Sequence, residues 1–287
     1  MLYSTLLFQV LIAATAIAIP ASRERRARDL PRRNADIHSS QPNQVANKTI
    51  PVAGKGDAAQ AEYSTNWAGA VLSLSRGWFT TVSGTFVVPA AREPVGASGF
   101  HSASVWVGID GWSSGCDNIL QTGIDVTTYG DGDVSYNAWY EWYPDYAHDF
   151  TDITIREGDT ITAIVIATSL TSGIAMIINY STGQEVLHTF SGQPPLCEQD
   201  AEWIVEDYTR NGQLVPFVDF DHVTFTGASA GGPILGPFGP GGAKVVDMQQ
   251  DGRILAVAAA DDSTVNVWYG LGIFGETLSN SSTSQPE

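Results

Sequence analysis

From residue 60 onward, short runs of alternating apolar and polar side chains are punctuated by Gly, Asp, Asn and Ser every 8 to 12 residues or so. A two-residue period places successive side chains on opposite faces of a pleated strand. The runs predict strands at Ser64–Ser73, Trp78–Val88, Ala103–Ile109, Ile119–Val126, Val134–Trp142, Ile153–Ile155, Thr160–Thr168 and Gly173–Tyr180. Further strands are predicted at Glu185–Phe190, Ala201–Glu206, Pro216–Phe220, Val223–Thr226, Ala243–Met248, Ile254–Ala258 and Val265–Tyr269. No stretch keeps a helical period over three turns. So many short strands predict an all-β fold, a large antiparallel β-sandwich or jelly roll. Gly227 to Gly242 reads as a Gly/Pro-rich loop, and the Ser/Thr-rich stretch after Gly270 (271–287) as a disordered tail.

Alternation also says which side chains share a face. Val105, Val107 and Ile109 oppose Ser104, Trp106, Gly108 and Asp110; Leu120, Thr122 and Ile124 oppose Gln121, Gly123 and Asp125. Trp139, Glu141 and Tyr143 share one face, as do Glu202, Ile204 and Glu206. Several strands therefore pair an apolar face with one that mixes Trp, carboxylates and an amide. Such a face suits a groove for a polar, extended ligand.

The N-terminus changes the picture. Leu6 to Ile19 is an apolar run followed by small residues, with Ala16-Ile17-Ala18 offering a small-x-small pattern. It is too short to span a bilayer. We read 1–18 as a secretory signal peptide and expect an extracellular protein. Eight of the 14 Lys and Arg residues lie before residue 58, whereas six basic and 27 acidic residues follow it. A basic leader at 19–58 ahead of an acidic domain at 59–270 reads as a pro-segment held partly by charge. At about pH 3 most carboxylates are neutral, so the acidic domain carries little charge of either sign and avoids self-repulsion in acid.

Cys116 and Cys197 are the only cysteines and fit one disulfide in a secreted chain. No Cys/His cluster has metal-ligand spacing, so no metal and no cofactor are expected. Asn47, Asn179 and Asn280 match the N-glycosylation pattern. Each cysteine is followed five residues later by a side chain capable of chemistry, Gln121 after the first and Glu202 after the second. Whether the two face each other depends on strand direction, which spacing leaves open.

Serine chemistry has little support, because Gly227-Ala228-Ser229-Ala230-Gly231 lacks the strand–turn–helix context of a nucleophile elbow. Carboxylate chemistry on water remains. A Glu can act as base in acid where a His is protonated, and a neutral amide can stabilise an oxyanion at any pH. A Glu/Asp pair acting on a glycosidic bond, with Glu141 and Glu202 or Asp125, is the alternative enzyme. A lectin-like carbohydrate-binding module is the alternative binding protein.

The blocks Ser64-Thr65-Asn66-Trp67-Ala68-Gly69-Ala70, Val82-Ser83-Gly84-Thr85-Phe86-Val87-Val88-Pro89 and Val105-Trp106-Val107-Gly108-Ile109-Asp110-Gly111 resemble the glutamic peptidases (eqolisins). So do Ile119-Leu120-Gln121-Thr122-Gly123, Ala138-Trp139-Tyr140-Glu141-Trp142-Tyr143-Pro144 and Ala201-Glu202-Trp203-Ile204-Val205-Glu206-Asp207. The resemblance covers roughly residues 62 to 225, in consistent order. It implies a β-sandwich of two large sheets resembling legume lectins. It also implies a secreted acid endopeptidase acting on protein or peptide substrates, made as a zymogen whose pro-segment inhibits it. Gln121 and Glu202 would be the catalytic dyad, with Glu202 as general base and Gln121 as oxyanion donor. Trp106, Asp110, Asp125, Trp139 and Glu141 match positions that line the substrate groove. Core packing is the competing role for the two Trp, and a turn position the competing role for Asp110. The protein is expected to act as a monomer, with no nucleic-acid or membrane partner.

Overall fold

A computed structural model of the protein describes residues 38–46, 61–130, 132–233 and 236–270. The expected signal peptide, most of the expected pro-segment, the sequons at Asn47 and Asn280 and the expected C-terminal tail lie outside the described residues. Every helix-or-strand element described is a strand: β1 (His38–Ser39), β2 (Glu62–Ser64), β3 (Trp67–Ser73), β4 (Thr81–Val87), β5 (Phe100–Ile109), β6 (Ile119–Tyr129), β7 (Val134–Tyr143), β8 (His148–Asp149) and β9 (Thr160–Ser169). The chain continues through β10 (Ser172–Asn179), β11 (Gln184–Phe190), β12 (Asp200–Glu206), β13 (Thr209–Arg210), β14 (Gln213–Leu214), β15 (His222–Gly231), β16 (Lys244–Gln250), β17 (Arg253–Ala260) and β18 (Thr264–Tyr269).

Hydrogen bonding links fourteen of these strands in the order β11-β10-β9-β4-β15-β18-β17-β16-β3-β12-β5-β6-β7-β8. This ladder folds over on itself, so that β9, β10 and β4 pack across β5, β6 and β7. The result is the predicted sandwich. Its pairs are antiparallel, except that β2 runs parallel to β16. Between the layers lies a continuous apolar core that includes Val105, Val107, Ile109, Leu120, Ile124, Trp142, Ile161, Val165, Trp203 and Val205. These are the alternate residues of their strands, and their burial removes the apolar area that drives the fold.

Two predicted strands are absent. Residues 153–155 and 216–220 form no ladder, although Phe217 and Asp219 make isolated bridges to Ser102 and Arg92. The predicted loop at Gly227–Gly242 is shorter than expected: β15 runs on to Gly231, with a register shift between Thr226 and Ser229 that lets it keep pairing with β4. A bulge absorbs the extra residue there, which is why the strict alternation fades. Asn179 is fully buried, donates to Thr154 O and Asp159, and accepts from the Ser181 and Thr182 N–H groups. Its side chain is an internal turn clamp, and the glycosylation expectation there is withdrawn.

Candidate active site

The cleft lies on the face of β3, β12, β5, β6 and β7 that points away from the main core. Because β12 and β6 both pair antiparallel with β5, they run in the same direction on either side of it. Register then builds the site in rows. Glu202 stands opposite Gly108, Gly108 opposite Gln121, and Gln121 opposite Glu141. The next row is Ile204, Trp106, Gly123 and Trp139, and the one beyond it is Glu206, Ser104, Asp125 and Asn137. Gln121 and Glu202 thus face the same side with one strand between them, a Cα separation of roughly 10 Å from the usual strand spacing. That strand offers only Gly108 at the level of the pair. A Cβ there would sit 2.8 Å from the Trp106 ring and 3.3 Å from the Gln121 Cβ. Gly108 therefore leaves room for both side chains to lean inward, and Gly123 makes the same allowance beneath Trp106.

The disulfide ties together the chain just ahead of β6 and β12. Cys116 and Cys197 are bonded, with Cα atoms 5.6 Å apart. Beside them, Asp110 has a positive φ of 72° at the end of β5. Its carboxylate accepts from the Cys197, Glu198, Gln199 and Asp200 N–H groups at 2.7, 2.8, 2.8 and 3.2 Å. Asp110 is therefore not a groove residue, contrary to the expectation: it holds the turn that feeds Glu202 into β12. Burial pushes its carboxyl up to about 6, against the pull of those backbone donors.

The other expected groove residues share the cleft face. Trp106 and Trp139 are fully buried and pack with Trp67 and Ile204 into a small apolar cluster that floors it. Asp125 accepts from Ser104 Oγ at 2.6 Å. Glu202 is fully buried, and burial first, then Asp200 and Asp110, raises its carboxyl well above the ordinary range. Neither Glu202 oxygen, nor Gln121 Oε1, has a hydrogen-bond partner among the described residues. Buried acceptors of that kind are what a bound water satisfies.

Part of the leader lies in the cleft. Residues 38–46 cross the strands from β7 towards β3. His38 and Ser39 pair antiparallel with Arg210 and Thr209 of β13, and Ala147 N donates to His38 O at 3.1 Å. His38 Nδ1 lies 3.7 Å from Asp125 and packs on Tyr208 and Trp139. Ser39 Oγ and Ser40 N both donate to Glu141, at 3.0 and 3.1 Å. Gln121 Nε2 donates to Ser40 O at 3.1 Å, and Gln41 N donates to Glu206 at 2.9 Å. Trp67 Nε1 and Asn66 Nδ2 then donate to Gln41 O, at 3.0 and 3.3 Å.

Asn66, Trp67, Thr209 and Glu206 were not expected as groove residues. Asn66 and Trp67 stood in a matched block, and Glu206 was already on the Glu202 face. Thr209 follows β12 with no alternation to mark it.

The comparisons with known proteins agree with the fold. Residues 65–269 match the Peptidase A4 family. The chain is 44% identical over 290 residues to aspergillopepsin-2 of Aspergillus niger, covering 94% of this chain and 100% of the relative. It is 46% identical over 183 residues to scytalidopepsin B of Scytalidium lignicola, covering 60% and 66% of the two chains. Among solved structures, scytalido-glutamic peptidase with a transition state analog inhibitor superposes with a TM-score of 0.63 at 39% identity, over 71% of this chain and 98% of that one. Aspergilloglutamic peptidase from Aspergillus niger gives a TM-score of 0.56 at 52% identity, over 59% and 99%. The chain belongs to the Peptidase A4 family, the glutamic peptidases.

Proposed function

We propose that this glutamic peptidase is a secreted acid endopeptidase, made as a zymogen, in which Gln121 and Glu202 split water across a peptide bond. The observation that carries the reading is the Gln121 amide donating to a peptide carbonyl, Ser40 O, inside the cleft at 3.1 Å. In the reaction, ionised Glu202 takes a proton from water as the water oxygen bonds to the carbonyl carbon. Negative charge develops on the carbonyl oxygen, where the Gln121 N–H groups meet it at any pH. Glu202, now neutral, returns the proton to the amide nitrogen, the C–N bond breaks, and an acid and an amine leave. A lectin or a glycosidase on the same sandwich gains nothing from this cleft, whose donors and acceptors follow a peptide main chain.

Residues 38–46 act in this reading as a substrate-like inhibitor. Their docking fills the groove, where burial raises the Glu202 carboxyl well above its ordinary range. Departure of the segment opens the groove to substrate and water. The acidic domain after residue 58 fits work in acid, and the apolar run at Leu6–Ile19 fits export.

The test is digestion of denatured haemoglobin at about pH 3 by the acid-activated protein, beside a folded Glu202→Gln variant. Cleavage by the parent alone supports the assignment. Equal cleavage by both moves the base to another carboxylate, with Glu141 next in line.

A further inference from the structure

Most hydrogen bonds to residues 38–42 run through the main chain, while the His38 ring packs on Tyr208 and Trp139 and Ser39 Oγ donates to Glu141. Ala147 N donates to His38 O, Thr209 Oγ1 to Ser39 O and Asn66 Nδ2 to Pro42 O, while Glu141 accepts from Ser40 N. Contacts of this kind transfer to any extended peptide, because they do not read side chains. One peptide unit is held at both ends. The carbonyl of the Ser40–Gln41 bond goes to Gln121, and its N–H goes to Glu206.

We infer that Glu206 takes the N–H of the scissile peptide bond in substrates, as Gln121 takes its carbonyl. This rests on the dyad assignment above. Glu206 is held by the folded domain as well as by the segment: it is fully buried, Trp106 Nε1 donates to one oxygen at 2.9 Å, and Asn66 Nδ2 to the other at 3.3 Å. Both donors belong to the folded domain. Gripping the oxygen and the N–H of one planar unit fixes its rotation over the floor formed by Trp106, so that the carbonyl carbon presents a defined face to Glu202. Burial pushes the Glu206 carboxyl up to about 8, against the bonds from Gln41, Ser40, Trp106 and Asn66, so it is neutral in acid. Its carbonyl oxygen still accepts an N–H in that form. Glu202 and Glu206 lie four residues apart on one face of β12. The same strand would therefore supply the base and the group that orients the leaving nitrogen.

The experiment compares two substrates of identical sequence, one with an amide and one with an ester at the scissile position. The ester has no N–H for Glu206 to hold. Activated parent, Glu206→Gln and Glu202→Gln are assayed on both. In Glu206→Gln a single acceptor oxygen faces three donors, from Trp106, Asn66 and the substrate N–H. The ratio of amide to ester kcat/KM should therefore fall about tenfold in Glu206→Gln relative to the parent. An unchanged ratio overturns the inference, even if both rates drop, because a role confined to anchoring Trp106 lowers them together. If the Gln variant does not fold, Glu206→Asp, which keeps the carboxyl but withdraws it by one methylene, is judged by the same ratio. Glu202→Gln separates the two assignments: turnover by that variant sinks the dyad, while a dead Glu202→Gln with an unchanged Glu206→Gln ratio sinks only the role of Glu206.

Discussion

Raising the pH from 5 to 8 perturbs three buried carboxyls whose pKa values are displaced upward. Burial lifts Asp110 from 3.8 to about 6, Glu206 from 4.5 to about 8, and Asp207 from 3.8 to about 7. Near pH 5.5 the unfolded chain has lost these protons and the folded chain still holds most of them. The folded state then binds more protons, so stability falls as pH rises, and the loss ends only once the folded-state values are passed. Taken at face value, about three retained protons give a slope near 4 kcal/mol per pH unit. Relaxation and water entry around buried charge reduce such figures several-fold, which leaves about 1 kcal/mol per unit. For a domain of this size each kcal/mol lowers Tm by roughly 2–4 °C. A fall on the order of 10 °C between pH 5 and pH 8 is expected, with a plateau below about pH 4, where folded and unfolded carboxyls are both protonated. The assay is calorimetry of the full chain carrying Glu202→Gln, which removes self-digestion. Adding Glu206→Gln or Asp207→Asn should flatten the slope. A Tm that is level or rising from pH 5 to pH 8 refutes the reasoning.

The remaining predictions concern the frame of the site. Replacing both cysteines by Ser opens a loop of 81 residues' separation; chain entropy assigns that loop about 4–5 kcal/mol, read as a lower denaturant midpoint. Asp110→Ala strands four N–H groups at the entry to β12 and should cost about 3 kcal/mol or more, with activity falling alongside stability. Gly108→Ala brings a Cβ to 2.8 Å from the Trp106 ring and 3.3 Å from Gln121 Cβ. The shift forced on those side chains should cost about 1–3 kcal/mol of stability, while peptide hydrolysis falls at least about tenfold; retained activity would show that Gln121 and Glu202 do not lean over this position.

The parts of this site that are legible in the sequence are those that depend on period alone. Alternation put Gln121, Glu202, Trp106 and Asp125 on faces opposite the core, and register then only had to align them. Alternation is local, so it could not say that β6 and β12 flank β5 in the same direction, which is what turns two isolated side chains into a pair. Asp110 marks the limit. Its place on the polar face of β5 reads like a groove residue, yet a positive φ turns its carboxylate into a nest of N–H groups from residues 197–200, far along the chain. Thr209 and Ala147 were invisible for the related reason that short edge pairings carry no hydrophobic period. The leader shows a different limit. Its charge suggested attachment to an acidic domain, but the described hydrogen bonds of residues 38–42 are mostly main-chain, with His38 Nδ1 3.7 Å from Asp125 beside them. Basic residues earlier in the leader could raise its encounter rate. What fixes its register is the cleft itself, because a groove built to hold any extended peptide also holds the chain's own.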